Sequence, residues 1–187
     1  IVAVDGAWHA LRNAEVMPDI VVGDFDSFPD LERVSSEFPN LQFEYSGDQE
    51  TTDFQKAIEW TEENTNTSKL IILGGLGKRS DHFLSNLMTS IRINLSCEVI
   101  FDDDREWIER VTPSTPLNFS GRSGSTVSIL ALELSSGIYS SGLKWNLQDH
   151  EFSPQSKFSQ SNLCVSDQVE VTCATGSLFA IISKGIG

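Results

Sequence analysis

The sequence predicts an α/β fold in its first part and an all-β fold in its last, and three observations carry that expectation. Up to about residue 112, short apolar runs alternate with segments of helical periodicity, the pattern of strand-helix-strand units built around a mostly parallel sheet. After Val111 the texture changes, with Pro113 and Pro116 punctuating, to short β-like runs between Ser- and Gly-rich turns. No stretch approaches the ~20 consecutive apolar residues of a membrane span.

The elements follow in order. Strands are expected over residues 1–4, 20–22, 41–45, 70–73 and 99–101, each a short apolar run. Helices over 7–13, 29–38, 53–64 and 81–94 fill the intervals. In the last of them Leu84, Leu87, Met88 and Ile91 repeat at spacings of three and four, making one apolar stripe for packing on a sheet. Beyond the prolines, β-like runs at 126–132, 137–139, 143–147, 163–165, 169–173 and 178–182 suggest a β-sandwich or a barrel. Two domains are therefore expected, 1–112 and 113–187.

Composition excludes some partners. Thirteen basic against 27 acidic residues leave a formal charge of −14, which repels nucleic acid and anionic lipid in the absence of a basic cluster. Hydrophobic residues at 39% with 21% charged describe a soluble globular chain. The opening IVAVDGAWHA lacks the features of a secretion signal and reads as a strand already under way, suggesting that residues precede Ile1 and that the sheet lacks its first strand. Cys97, Cys164 and Cys173 fit neither a CxxC motif nor a disulfide framework, and their apolar settings suit buried reduced thiols in a cytoplasmic protein.

The chemistry is expected in loops, because open α/β sheets bind ligands beyond the carboxyl ends of their strands. Asp24 and Asp26 lie two residues apart just after an apolar run, and in an extended backbone they would face one point. Two carboxylates suit Mg²⁺ shared with substrate phosphates, although the segment also reads as an Asp-rich turn whose Ser27 and Pro29 start a helix. In the loop 48–53, Thr52 or Asp53 is a plain N-cap, while Asp53 would also complete a cation site with Asp24 and Asp26. The loop 74–81 combines Gly74, Gly75 and Gly77 with Lys78 and Arg79 ahead of a helix, a setting for polyphosphate. It is not a Walker A loop, since Ile72 stands at the first glycine position and Arg79 follows the lysine. Asp81 would cap the helix or aid catalysis, His82 suits a packed or partner-bonded histidine, and His9 and His150 have no assigned role.

Together these segments resemble the thiamine pyrophosphokinase family. Asp5-Gly6-Ala7 resembles its ADGGAN start, PDIVVGDFDS its P-D-x-I-x-G-D-F-D-S, and DQETTDFQKA its D-Q-x-x-T-D-x-x-K-A. GGLGKRSDHFLSN is similar to its G-x-R-x-D-H-x-L-x-N segment, and SGLKWNL and FSQSN resemble its GLKW and S-x-S-N elements. The likeness runs in order along nearly the whole chain. It implies a Rossmann-like N-terminal α/β domain, a C-terminal β-sandwich, and a homodimer with thiamine at the interface, transferring pyrophosphate from ATP to the thiamine hydroxyl and releasing AMP. It further implies Mg²⁺ at Asp24, Asp26 and Asp53, with Asp5, Gln49, Thr52, Gly75, Gly77, Lys78, Arg79 and Asp81 around ATP and the reacting hydroxyl. Trp145, Ser159 and Asn162 would form the thiamine pocket, Trp145 coming from the partner subunit; an aromatic face suits a flat cationic thiazolium. DGAWHA departs from the family start at Trp8 and His9. Two other readings compete: an inert thiamine or nucleotide sensor, and a diphosphokinase for another heteroaromatic alcohol such as a pterin.

Overall fold

A computed structural model describes residues 1–26, 28, 30–77 and 79–185. Ser27, Pro29 and Lys78, with their expected helix-start and phosphate roles, lie outside the described residues. The chain forms two compact units, Ile1–Thr67 and Ser68–Gly187.

The first unit is a parallel three-stranded sheet, β1 (Val2–Val4), β2 (Ile20–Gly23) and β3 (Gln42–Tyr45), in that order. All of β2 is buried, as a central strand covered on both faces must be. On one face Ala3 and Val21 meet Trp8, Leu11 and Val34 of α1 (Ala7–Asn13) and α2 (Leu31–Glu37). On the other, Ile20 and Val22 meet Ala57 and Trp60 of α3 (Asp53–Asn64). Helix α2 starts at Asp30, whose carboxylate accepts from Arg33 N at 3.1 Å.

The second unit begins with β4 (Lys69–Leu73), α4 (Ser80–Ser90) and β5 (Glu98–Asp102), the strands pairing in parallel. The chain then reverses into β6 (Glu106–Val111), antiparallel to β5 and absent from the sequence reading. Next come β7 (Leu117–Ser120), β8 (Thr126–Ala131), β9 (Ser135–Ser141), β10 (His150–Phe152), β11 (Ser159–Leu163), β12 (Gln168–Thr172) and β13 (Leu178–Ser183). Two sheets result, a six-stranded β11-β8-β13-β6-β5-β4 and a four-stranded β10-β9-β12-β7. Alternate residues of both, such as Val127, Ile129 and Ile182 from one and Leu117, Ile138 and Val171 from the other, form one shared core. That is a sandwich rather than a barrel. Residue 112 lies inside this unit, between β6 and β7, where the chain passes from one sheet to the other.

Some expected elements shift. The run 143–147 is a turn rather than a strand, because the Asn146 side chain accepts from Leu143 N at 3.0 Å and closes the chain on itself. Helix α4 stops at Ser90 rather than 94. Its terminal carbonyls and those of the following turn are taken by fully buried Arg110 of β6, whose guanidinium donates to Ser90 O, Ile93 O and Asn94 O at 2.7 Å and to Cys97 O at 2.8 Å. The three cysteines are free and buried, and burial pushes the Cys173 thiol up to about 11. Among the described residues no helix is long and apolar enough to cross a membrane.

Candidate functional site

The carboxyl ends of β1 and β2 meet where β2 ends in glycine. A Cβ on Gly23 would stand 2.9 Å from Asp5 Cβ, so only glycine lets the two strand ends close. Asp5, buried and in the left-handed region at φ 32, extends the ladder by donating its N–H to Val22 O at 2.9 Å. The first turn of α3 delivers Asp53. Its N-cap is Thr52 in a reciprocal capping box: Thr52 Oγ1 accepts from Gln55 N at 3.2 Å, and Gln55 Oε1 accepts from Thr52 N at 2.8 Å. Thr52 is thus the cap, and the Asp53 carboxylate takes no part in it.

Asp5, Asp24 and Asp53 each place a ligand atom within 4.8 Å of the others. Three hard oxygen donors at this spacing fit a divalent cation of the Mg²⁺ kind. Asp26, expected in this group, is outside it. Phe25 takes a left-handed φ of 60, which breaks the extended alternation that would point residues 24 and 26 to one side. The Asp26 backbone N–H instead donates to Asp24 Oδ1 at 3.2 Å, and Gln49 Nε2 donates to Asp24 Oδ2 at 3.1 Å. Gln49 first, and then that backbone amide, hold the Asp24 carboxyl below the usual carboxylate range. A residue without an assigned role in the sequence reading joins the group: Lys56, one helical turn past Asp53, donates to Asp53 Oδ1 at 3.0 Å.

In the second unit the loop after β4 and the turn after β5 border a cavity of about 1080 Å³. Gly75 and Gly77 line it, with Arg79, His82, Phe83 and the 103–106 turn. A Cβ at Gly75 would stand 2.7 Å from Ile72 Cγ2 and 2.9 Å from Phe101 Cδ1, so this glycine is needed for packing the loop against the sheet. Asn86 of α4 secures it by donating to Gly75 O at 2.9 Å. Arg79 grips Asp81 through two bonds, Nε to Oδ1 at 3.1 Å and Nη2 to Oδ2 at 2.6 Å, which holds the Asp81 carboxyl down to about 2. Asp81 is therefore an ion-pair partner in the first turn of α4, whose N-cap is Arg79. His82, expected packed or partner-bonded, is exposed on the cavity wall.

The third cluster lies in the sandwich. Asn162, 1% exposed, brackets the backbone of Trp145: its Oδ1 accepts from Trp145 N at 3.1 Å and its Nδ2 donates to Trp145 O at 2.7 Å. Ser159 Oγ accepts from the same Nδ2 at 3.3 Å. The bracket holds the Trp145 ring out into solvent beside a cavity of about 430 Å³, also lined by Leu147, His150, Phe152 and Phe158. The Lys144 ammonium sits 4.7 Å from the ring centroid. The three residues expected to act together are thus brought together.

Comparisons with known proteins bear on the family and the fold. The family described as thiamin pyrophosphokinase, catalytic domain, matches residues 1–101, and the one described as thiamin pyrophosphokinase, vitamin B1 binding domain, matches residues 115–178. Thiamin pyrophosphokinase 1 of Caenorhabditis elegans is 28% identical over 96% of this chain and 77% of its own length. Thiamine pyrophosphokinase 1 of Arabidopsis thaliana is 30% identical over 95% of this chain and 70% of its own. Thiamine pyrophosphokinase 1 of rice is 26% identical over 88% of this chain and 66% of its own, so the chain spans about two thirds to three quarters of these relatives. Among solved structures, thiamine pyrophosphokinase from Bacillus subtilis superposes with a TM-score of 0.82 at 22% identity, covering 99% of this chain and 87% of that one. The two family matches divide the chain into the catalytic part and the vitamin-binding part of one family of pyrophosphate-transferring enzymes. The chain belongs to the thiamine pyrophosphokinase family.

Proposed function

We propose that this chain is a thiamine pyrophosphokinase that transfers the terminal pyrophosphoryl group of ATP to the hydroxyl of thiamine. The observation that carries the reading is the trio Asp5, Asp24 and Asp53 on the rim of a parallel sheet, in a chain that belongs to this family. A Mg²⁺ held there would orient the polyphosphate and offset its charge. The thiamine oxygen attacks the β-phosphorus in line; the new O–P bond forms as the bond from the β-phosphorus to the oxygen bridging it to the α-phosphorus breaks. AMP leaves with that oxygen, and the hydroxyl proton passes to solvent or a phosphate oxygen.

The roles of the chain's own groups follow from their surroundings. Gln49 steadies Asp24, Thr52 and Gln55 fix the helix that presents Asp53, and Gly75 and Gly77 shape the loop for the nucleotide. Arg79 stabilises charge on the transferred group. A carboxyl held near 2 by Arg79 is a poor base, so Asp81 orients Arg79 or the hydroxyl rather than accepting its proton. Asp26 joins the cation site only if the loop around left-handed Phe25 turns. Trp145 holds thiamine, with the thiazolium on the indole face, while Asn162 and Ser159 fix the backbone that carries that ring. We assign residues 1–112 to the nucleotide and cation and 113–187 to thiamine, in a cytoplasmic homodimer whose thiamine sites take Trp145 from the partner.

Incubation with ATP, Mg²⁺ and thiamine followed by ion-pair chromatography tests the reading. AMP and thiamine diphosphate in equal amounts are expected. Stoichiometric ADP with thiamine monophosphate would overturn the mechanism, and no thiamine-dependent ATP consumption would favour a sensor.

A further inference from the structure

Lys56 occupies an expensive position. Lysine is among the residues least often buried, yet Lys56 is 6% exposed within α3, where an ammonium is tolerated only if it is paired. Its partner is Asp53 Oδ1 at 3.0 Å, and its charge also attracts Asp24 and Asp48. Three carboxylates whose ligand atoms lie within 4.8 Å repel one another, and a single ammonium against one of them leaves two net negative charges, the complement of one divalent cation. The bond also takes up one Asp53 oxygen, leaving the other for coordination.

We propose that Lys56 is the built-in counter-cation of the trio, a positioning residue that holds Asp53 and balances the group before a divalent cation arrives. Its second effect is to weaken the free protein's hold on the bare cation, so that the cation is taken up together with the polyphosphate. The inference rests on the trio being the cation site.

Calorimetric titration of Mn²⁺ into the nucleotide-free protein tests it, with melting temperatures in EDTA and in saturating Mn²⁺. Lys56→Met keeps the side-chain volume and removes the charge. It is expected to melt lower than wild type in EDTA, to gain more from Mn²⁺, and to bind Mn²⁺ about tenfold more tightly, a modest share of the attraction between close charges. Lys56→Arg, which keeps the charge, should stay within about threefold of wild type. Mn²⁺ affinity in Lys56→Met equal to or weaker than wild type overturns the proposal. If Lys56→Met does not fold in EDTA, folding in Mn²⁺ is expected, because the cation supplies the missing charge; a chain still unfolded there also overturns it. Mn²⁺ binding indifferent to Asp24→Asn would instead overturn the reading of the trio, as would no binding by wild type and Lys56→Met alike.

Discussion

Asp5 and Asp24 follow the ends of β1 and β2 while Asp53 opens α3, and each has its own fixing contact. Trp145 is held quite differently. One buried amide, Asn162, takes both polar groups of its backbone, and Ser159 leans on that same amide. The rim therefore spreads its geometry over the sheet, whereas the sandwich concentrates it in one side chain. Removing the Asp24 carboxylate, which is bonded to Gln49 rather than to a buried charge, should leave the fold alone and damage function; removing Asn162 should damage both.

The largest effect separates the two regions most cleanly. Asp24→Asn and Asp53→Asn should each lower turnover at least about a hundredfold, corresponding to ~3 kcal/mol of transition-state stabilisation; Asp24→Asn should keep its circular dichroism and melting temperature near wild type, whereas Asp53→Asn, which strips buried Lys56 of its partner, should also melt lower. Loss of structure in step with activity in Asp24→Asn would erase the contrast. Asn162→Ala comes next. It leaves the Trp145 N–H and C=O without their partner at a site that is 1% exposed, and should cost about 2–3 kcal/mol in urea unfolding while raising the KM for thiamine. Trp145→Ala, at an exposed position, should leave stability nearly unchanged and raise the KM for thiamine about tenfold with the KM for ATP unaltered. A matching rise for ATP would break the assignment of this cluster to thiamine.

The smallest effect concerns protons. Arg79 lowers Asp81 from 3.8 to about 2 in the folded protein, so the stabilisation from their pairing is present above pH 3.8 and fades as pH falls toward 2. Activity above pH 5 should then show no limb from Asp81. In Arg79→Gln the Asp81 carboxyl, followed by carbon NMR, should titrate close to 3.8; an unchanged midpoint would mean that other groups hold it down.

What the sequence displayed follows from how local each feature is. Helices α1 and α3 fall on the residues their periodicity marks, because that pattern is written within a few turns. Strand β6 went unread because Glu106, Glu109 and Arg110 interrupt its apolar residues, and the burial of Arg110 depends on carbonyls 13 to 20 residues away. The pairing of Asp24 with Asp26 assumed an extended chain through Phe25, and a single left-handed residue undoes it. Asp5 entered the trio by the approach of one strand end to another, which no spacing in the sequence records. The spacing of Lys56 from Asp53 was visible in DFQK, but its burial was not. The three sandwich residues were legible only through resemblance, since hydrogen bonds between a turn and a distant strand leave no periodic trace.

The capping box at Thr52 and Gln55 joins residues three apart, so it closes on the timescale of helix formation, about a microsecond or less. Asp5 and Asp24 meet only when β1 lies alongside β2, a parallel pairing across a loop and a helix, which is a slow and non-local event. The carboxylate of Asp53 is thus aimed by a contact within one helical turn, whereas Asp5 and Asp24 reach it only through strand pairing. A segment holding α3 alone would therefore carry Asp53 but no cation site, because the site exists only where β1 and β2 are paired.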